Sequence, residues 1–208
     1  MTSKQERELW DVKATAENVA YEIWNEDDSL KWQDAADLCA GYFRVELSRV
    51  WYSGANFLDI GCGIGRLTHR LSVLPNAPNF IGVDISSEML NIASKDRHFN
   101  EVFQLCDGRT LRPILDSAVE GIYSMVTFQH IPNSAFKGYL VEMARVLKLG
   151  GGFCFQYVEG NEQGLLSHNT CESDVLSWLA EIGLPVTQVC RGFMFDNWTW
   201  ITGKKGAI

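Results

Sequence analysis

The chain has 208 residues, 46% of them hydrophobic and 21% charged, with a net charge of −8. That length and balance suit a single globular domain with a sizeable core. The acidic excess argues against a nucleic-acid partner, whose phosphates call for clustered Lys and Arg. No apolar run approaches the roughly 20 residues of a membrane span. The charged N-terminus carries no apolar segment behind it, so no secretory signal is visible and a cytoplasmic location is expected.

Residues 4 to about 51 read as helical. Trp10, Ala14, Val19 and Ile23 form one apolar stripe, and Leu38, Phe43, Leu47 and Val50 form another. The polar run Asn25–Ser29 separates them, and Ser53-Gly54 punctuates the approach to the next element. From residue 55 strands and helices alternate. Strand one is expected at 56–60, a helix at 66–74, strand two at 80–84, and a helix capped by Ser86 or Ser87 that runs to about Lys95. Strand three falls at 102–105 and strand four at 121–127. Asn133 or Ser134 is placed to cap a further helix, which Gly150-Gly-Gly152 stops before strand five at 153–158. A helix over 172–182 ending at Gly183 leads to strands at 186–190 and 198–202. Such alternation predicts an α/β fold: a doubly wound, mostly parallel sheet with helices on both faces. The two closing strands suggest an antiparallel hairpin at its edge.

The six cysteines are scattered, form no C-x-x-C pair and show no metal-ligand spacing, so they read as small buried hydrophobes and no metal is expected. His69, His98 and His168 read as surface or loop residues.

The most informative stretch is Phe57-Leu-Asp-Ile-Gly-Cys-Gly-Ile-Gly-Arg66, a buried strand running into a glycine-rich turn and a helix. Open α/β sheets bind nucleosides at such turns. A dinucleotide fingerprint would require a third glycine where Arg66 stands. The pattern is instead Asp-x-Gly-x-Gly-x-Gly, which resembles the first motif of class I S-adenosylmethionine-dependent methyltransferases. Asp84 ends strand two, 25 residues beyond Asp59, where a carboxylate can accept both hydroxyls of a ribose or serve the helix that follows.

The resemblance implies a three-layer, seven-stranded sheet with its last strand antiparallel, in one domain over 1–208. Residues 1–52 would form an N-terminal helical lid and 53–208 the Rossmann-like core. It implies S-adenosyl-L-methionine as cofactor, with S-adenosyl-L-homocysteine as product. The cofactor would rest on Gly61, Gly63 and Gly65. Asp59 would lie near the methionine amino group and Asp84 on the ribose. Ile85 and Met89 match positions that pack on adenine, although core packing also explains Met89. Cys106, Asp107 and Gly108 follow strand three. There Asp107 matches the family's adenine-contacting acid, and an ordinary Asp-Gly turn is the other reading. Arg66 could fork onto the methionine carboxylate or be a solvated helix residue.

Phe128-Gln-His-Ile-Pro132 follows strand four, where the family lines its donor channel. Pro132 biases His130 and Ile131 away from helix. Gln129 and His130 are the candidate catalytic residues, with His130 as a general base or only a backbone hydrogen-bonding group. Trp10, Tyr21, Trp24, Phe128 and Tyr157 could face a sulfonium or belong to the core, and Tyr21 could reach the cofactor from the lid. The expected activity is methyl transfer to O or N of a small-molecule acceptor. A peptide N-terminal methyltransferase and a non-catalytic cofactor-binding subunit are the alternatives.

Overall fold

The computed structural model describes residues 3–14, 29–160 and 170–206. Tyr21, Trp24, His168 and the expected break at 25–29, apart from Ser29, lie outside them. The elements in chain order are α1 (Ser3–Ala14), α2 (Ser29–Glu46), β1 (Asn56–Ile60), α3 (Arg66–Ser72), β2 (Asn79–Asp84), α4 (Ser87–Ala93) and β3 (Glu101–Leu105). They continue with β4 (Val119–Ser124), a 3-10 turn (Phe128–His130), α5 (Asn133–Val146), β5 (Leu147–Val158), α6 (Glu172–Ile182), β6 (Val186–Arg191) and β7 (Trp198–Lys204).

The sheet order is β3-β2-β1-β4-β5-β7-β6. β7 runs antiparallel to both its neighbours, while the other pairings are parallel. β1 therefore feeds leftward to β2 while β4 feeds rightward to β5. The crevice of such a sheet opens where the winding reverses, above the carboxyl ends of β1 and β4.

Successive strand residues face opposite sides, and the two cores follow that alternation. Leu58, Ile60, Ile122 and Phe155 pack with Phe136, Leu140 and Met143 of α5 and Val175 and Leu179 of α6. Phe57, Tyr123, Cys154 and Trp200 pack on the other face with Phe43 of α2 and Leu67 and Leu71 of α3. No helix among the described residues is long and apolar enough to cross a membrane. All six cysteines are free, and four are buried.

Several boundaries move from their sequence-based positions. β4 ends at Ser124 instead of 127, because Val126 adopts φ +57, a conformation that β-branched side chains resist. β5 starts at Leu147, before the three glycines expected to precede it, and the helix stops at Val146 without their help. Neither Asn133 nor Ser134 caps α5. Pro132 occupies that place with no side-chain cap, and Asn133 Oδ1 instead accepts from Thr170 Oγ1 at 2.8 Å. His130 is not held off helix by Pro132 but sits in the 3-10 turn; only Ile131, directly before the proline, is extended. Ser86 does cap α4, accepting from the Met89 N–H at 3.1 Å.

Candidate active site

Gly61 leaves β1 with φ +72, and its N–H donates to the Val83 carbonyl at 2.8 Å. A Cβ here would stand 2.2 Å from Thr127 Oγ1, so only glycine lets β1 and the β4 loop meet. Thr127 uses the closeness: its hydroxyl lies 3.1 Å from the Ile60 carbonyl, and Ser124 Oγ donates to that carbonyl at 2.7 Å. Gly63, with φ +53, is different. A Cβ there would meet nothing within 4 Å, so bare backbone faces open space.

Asp84 holds this turn from β2. Its Oδ2 accepts from the Gly63 N–H at 2.8 Å and its Oδ1 from the Ser86 N–H at 2.9 Å. Each carboxylate oxygen keeps a further lone-pair site, and Asp84 also lines the cleft. Burial pushes its carboxyl above the ordinary value, against the pull of those N–H donors.

The cleft encloses about 1030 Å³ of empty space including its open mouth, ample for a drug-sized ligand. Asp59, Gly61, Gly63 and Arg66 form its floor, and Ile85 and Met89 one wall. Cys106 and Gly108 line it from the β3 side, and His130 from the 3-10 turn. With Asp84, these make ten expected residues that converge in one cavity.

Gly65, Asp107, Phe128 and Gln129 are not among the lining residues. Gly65 begins α3 in the left-handed region, its open side taken by His69, Ala93 and Phe103. Asp107 is exposed, and its carboxylate accepts from the N–H groups of Arg109 and Thr110 and from Thr110 Oγ1. Burial pushes its carboxyl up, and those donors together outweigh it and hold the carboxyl below the usual range. Phe128 is stacked on Phe136 at 4.3 Å in the core. Gln129 Oε1 accepts from Gln156 Nε2 at 3.0 Å, while Gln156 Oε1 accepts from the Val126 N–H at 2.9 Å, pinning the strained residue. Tyr157 is fully buried.

Trp10, one of the aromatics that could face a sulfonium, lines the cleft from α1, its ring edge-on to His130 at 5.3 Å. The structure adds residues that the sequence did not single out, among them Glu6, which lines the cleft from the same helix. Polar ties fasten α1 across the mouth. Glu6 pairs with Arg109 at 3.0 Å, Arg7 donates to the Cys106 carbonyl at 3.4 Å, and Asp11 accepts from Ser86 Oγ at 2.6 Å and from the Glu88 N–H at 3.2 Å. Met125, Val126, Ile131 and Tyr139 make the far wall apolar. A conspicuously polar partner pattern on α1 (Glu6, Asp11) was the one available signal; its partners are some 75 to 103 residues away.

Asp59 is almost completely buried and accepts from Thr68 Oγ1 at 2.7 Å, with the Tyr123 hydroxyl 3.2 Å from the same Thr68 oxygen. Burial, more than the nearby Asp84 charge, pushes its carboxyl up to about 7. The folded chain thus keeps a proton that the unfolded chain gives up near 3.8. Stability from this group is present below that value and is lost as pH rises towards about 7, a change on the order of a few kcal/mol. Urea midpoints at pH 5 and pH 8 should therefore differ less in Asp59→Asn than in the wild type.

A glycine turn backed by an acid, at the switch point of a doubly wound sheet, is the arrangement on which open α/β sheets hold their ligands. Residues 57–151, a little under half of the chain, match the family model described as a methyltransferase domain. Over 73 residues it is 36% identical to malonyl-[acyl-carrier protein] O-methyltransferase of Bacillus cytotoxicus; the matching stretch spans 35% of this chain and only 25% of that protein. The crystal structure of the [4+2]-cyclase SpnF superposes with a TM-score of 0.82 at 19% identity, covering 100% of this chain and 97% of that one. Geranyl diphosphate C-methyltransferase from Streptomyces coelicolor A3(2), in complex with Mg2+, geranyl-S-thiolodiphosphate and S-adenosyl-L-homocysteine, does so at 0.76 and 10% identity, covering 98% and 97%.

Proposed function

We propose that the chain is an S-adenosyl-L-methionine-dependent methyltransferase that methylates an O or N atom of a small-molecule acceptor. The observation that carries this reading is the open backbone over Gly63, held by Asp84 at the head of the cleft. That cradle suits a nucleoside: the backbone is bare where a sugar can lie, and a carboxylate with spare lone pairs stands beside it. Asp84 would take the ribose, Ile85 and Met89 the adenine faces, and Asp59 with Arg66 the amino-acid end. When bound, the cofactor supplies a methyl group on a sulfonium already activated for displacement.

What remains for the protein is positioning, because in-line displacement depends on holding the acceptor aligned. Trp10, Met125, Val126, Ile131 and Tyr139 offer an apolar bed for such an acceptor and exclude water. His130 borders that bed, its backbone N–H donating to the Thr127 carbonyl at 2.9 Å and its ring set edge-on against Trp10. It can remove a proton from an O–H or N–H acceptor. The peptide-directed alternative has less support, since the cleft is roofed by α1 instead of being an open acidic groove.

Calorimetry with S-adenosylmethionine and S-adenosylhomocysteine tests the cofactor half of the proposal, with saturable micromolar binding of both expected. Release of S-adenosylhomocysteine in the presence of an acceptor panel tests the transfer. The whole-chain likeness to SpnF favours one second reading, a domain that binds the cofactor and uses the apolar bed for shape-directed chemistry without methyl transfer. Binding without turnover across the panel would support it.

A further inference from the structure

Three residues far apart in sequence meet on the opposite side of the glycine turn from the cleft. His69 lies in α3, His98 in the loop before β3, and Glu101 is the first residue of β3. One ligand atom from each lies within 4.8 Å of the others. His69 Nδ1 is 2.8 Å from Glu101 Oε2, and His98 Nδ1 is 3.0 Å from Glu101 Oε1. We propose that His69, His98 and Glu101 form a binding site for a divalent transition-metal cation of the zinc type.

Three observations carry the assignment. The Glu101 side chain is fully buried, and among the described residues no Lys or Arg ion-pairs with it; its only such partners are the two imidazoles. A buried carboxylate is stabilised by a cation held against it, and Glu101 presents both its oxygens to the two imidazoles. His98 Nδ1 also has a second oxygen at 2.6 Å, Ser72 Oγ. The Ser72 hydroxyl donates to the His69 carbonyl at 3.0 Å, so one nitrogen faces two acceptors with at most one proton to offer. A cation would satisfy all of these lone pairs together. The donor set itself is two imidazoles and a carboxylate, which suits Zn2+ and its neighbours over Ca2+ or Mg2+. About a tetrahedral metal with bonds of about 2.0–2.2 Å adjacent ligand atoms stand about 3.3–3.6 Å apart, so the 2.8 and 3.0 Å separations would open by about half an ångström as the cation enters.

The site would act as a clamp. It joins α3, the loop before β3 and β3 itself. The other nitrogen of His69, Nε2, lies 2.8 Å from where a Cβ on Gly65 would stand, so a fixed His69 ring braces the glycine turn from behind.

The test uses tag-free full-length protein freed of metal with a chelator, titrated with Zn2+ in the calorimeter and with Co2+ by absorbance. One equivalent of Zn2+ is expected to bind, with visible Co2+ bands. At a hundred times Kd, Zn2+ should raise Tm by about 5–10 °C. His98→Gln, at a half-exposed position, should keep the metal-free Tm and lose the binding at least tenfold; His69→Gln is the second variant should His98→Gln unfold. His130→Gln should leave Zn2+ binding unchanged, because it lies in the cleft. Absence of stoichiometric binding to the wild type would overturn the proposal and leave the cluster a hydrogen-bonded triad, as would undiminished binding in both His98→Gln and His69→Gln.

Discussion

Asp84→Ala is expected to weaken S-adenosylmethionine binding by at least tenfold, and by a hundredfold or more if both ribose hydroxyls are lost as partners. A hydrogen bond to a charged group contributes about 1.5–3 kcal/mol, and every 1.4 kcal/mol or so is a factor of ten. The variant also frees the Gly63 and Ser86 N–H groups that the carboxylate now holds at 2.8 and 2.9 Å, so the turn loses its brace together with the ligand's anchor. Asp84→Asn separates these effects. It keeps one acceptor oxygen and much of the turn geometry, and should fall between the wild type and Asp84→Ala. Calorimetric titration of the three proteins measures it, with circular dichroism to establish that each is folded. The affinity should also drop as pH falls through the raised pKa of Asp84, since a protonated carboxyl accepts fewer hydrogen bonds. Equal affinity in all three proteins would mean that the ribose does not lie on Asp84.

Phe136→Ala should cost about 3–5 kcal/mol of stability, the usual range for emptying a buried Phe site. The ring is fully buried between Phe128, Phe155, Tyr157 and Trp178, with centroids 4.3 to 6.0 Å away. Phe128 is its nearest and most parallel neighbour, and Phe128 is also the first residue of the turn that ends at His130. The cavity left by Phe136 should therefore reach the cleft by letting that turn settle inward. Urea unfolding reads the first effect. Quenching of Trp10 fluorescence by the His130 ring, compared between wild type and variant below the unfolding transition, reads the second.

The fold was legible because its signals are local. β1 falls where the apolar run Phe57–Ile60 put it, and α6 ends at Gly183 in the left-handed conformation that a helix stop there requires. The turn and Asp84 were legible because both lie at strand ends, and alternation locates strand ends well. Asp107 shows the limit. Its place after β3 matched a family position, yet Asp-Gly is also a turn dipeptide, and the local N–H groups of Arg109 and Thr110 reached the carboxylate first. Trp10 and Glu6 show another limit. Helical spacing gives a residue's face but not what that face covers, and the packing of α1 on α4 is a long-range fact. The pair His69 and His98 was opaque for the same reason. They stand 29 positions apart, and only the pairing of β2 with β3 brings Glu101 between them.

Every described residue lining the cleft comes from Glu6 to Tyr139. The described residues of the last third of the chain, in β5, α6 and the β6–β7 hairpin, supply core surface to both faces of the sheet, and none of them lines the cavity. Ligand choice and fold durability are thus written in different stretches of one polypeptide. A library confined to α6 and the β6–β7 hairpin would explore heat tolerance while leaving the contents of the cavity alone, whereas a graft of α1 and the 125–131 loop from a relative would exchange the guest and keep the house.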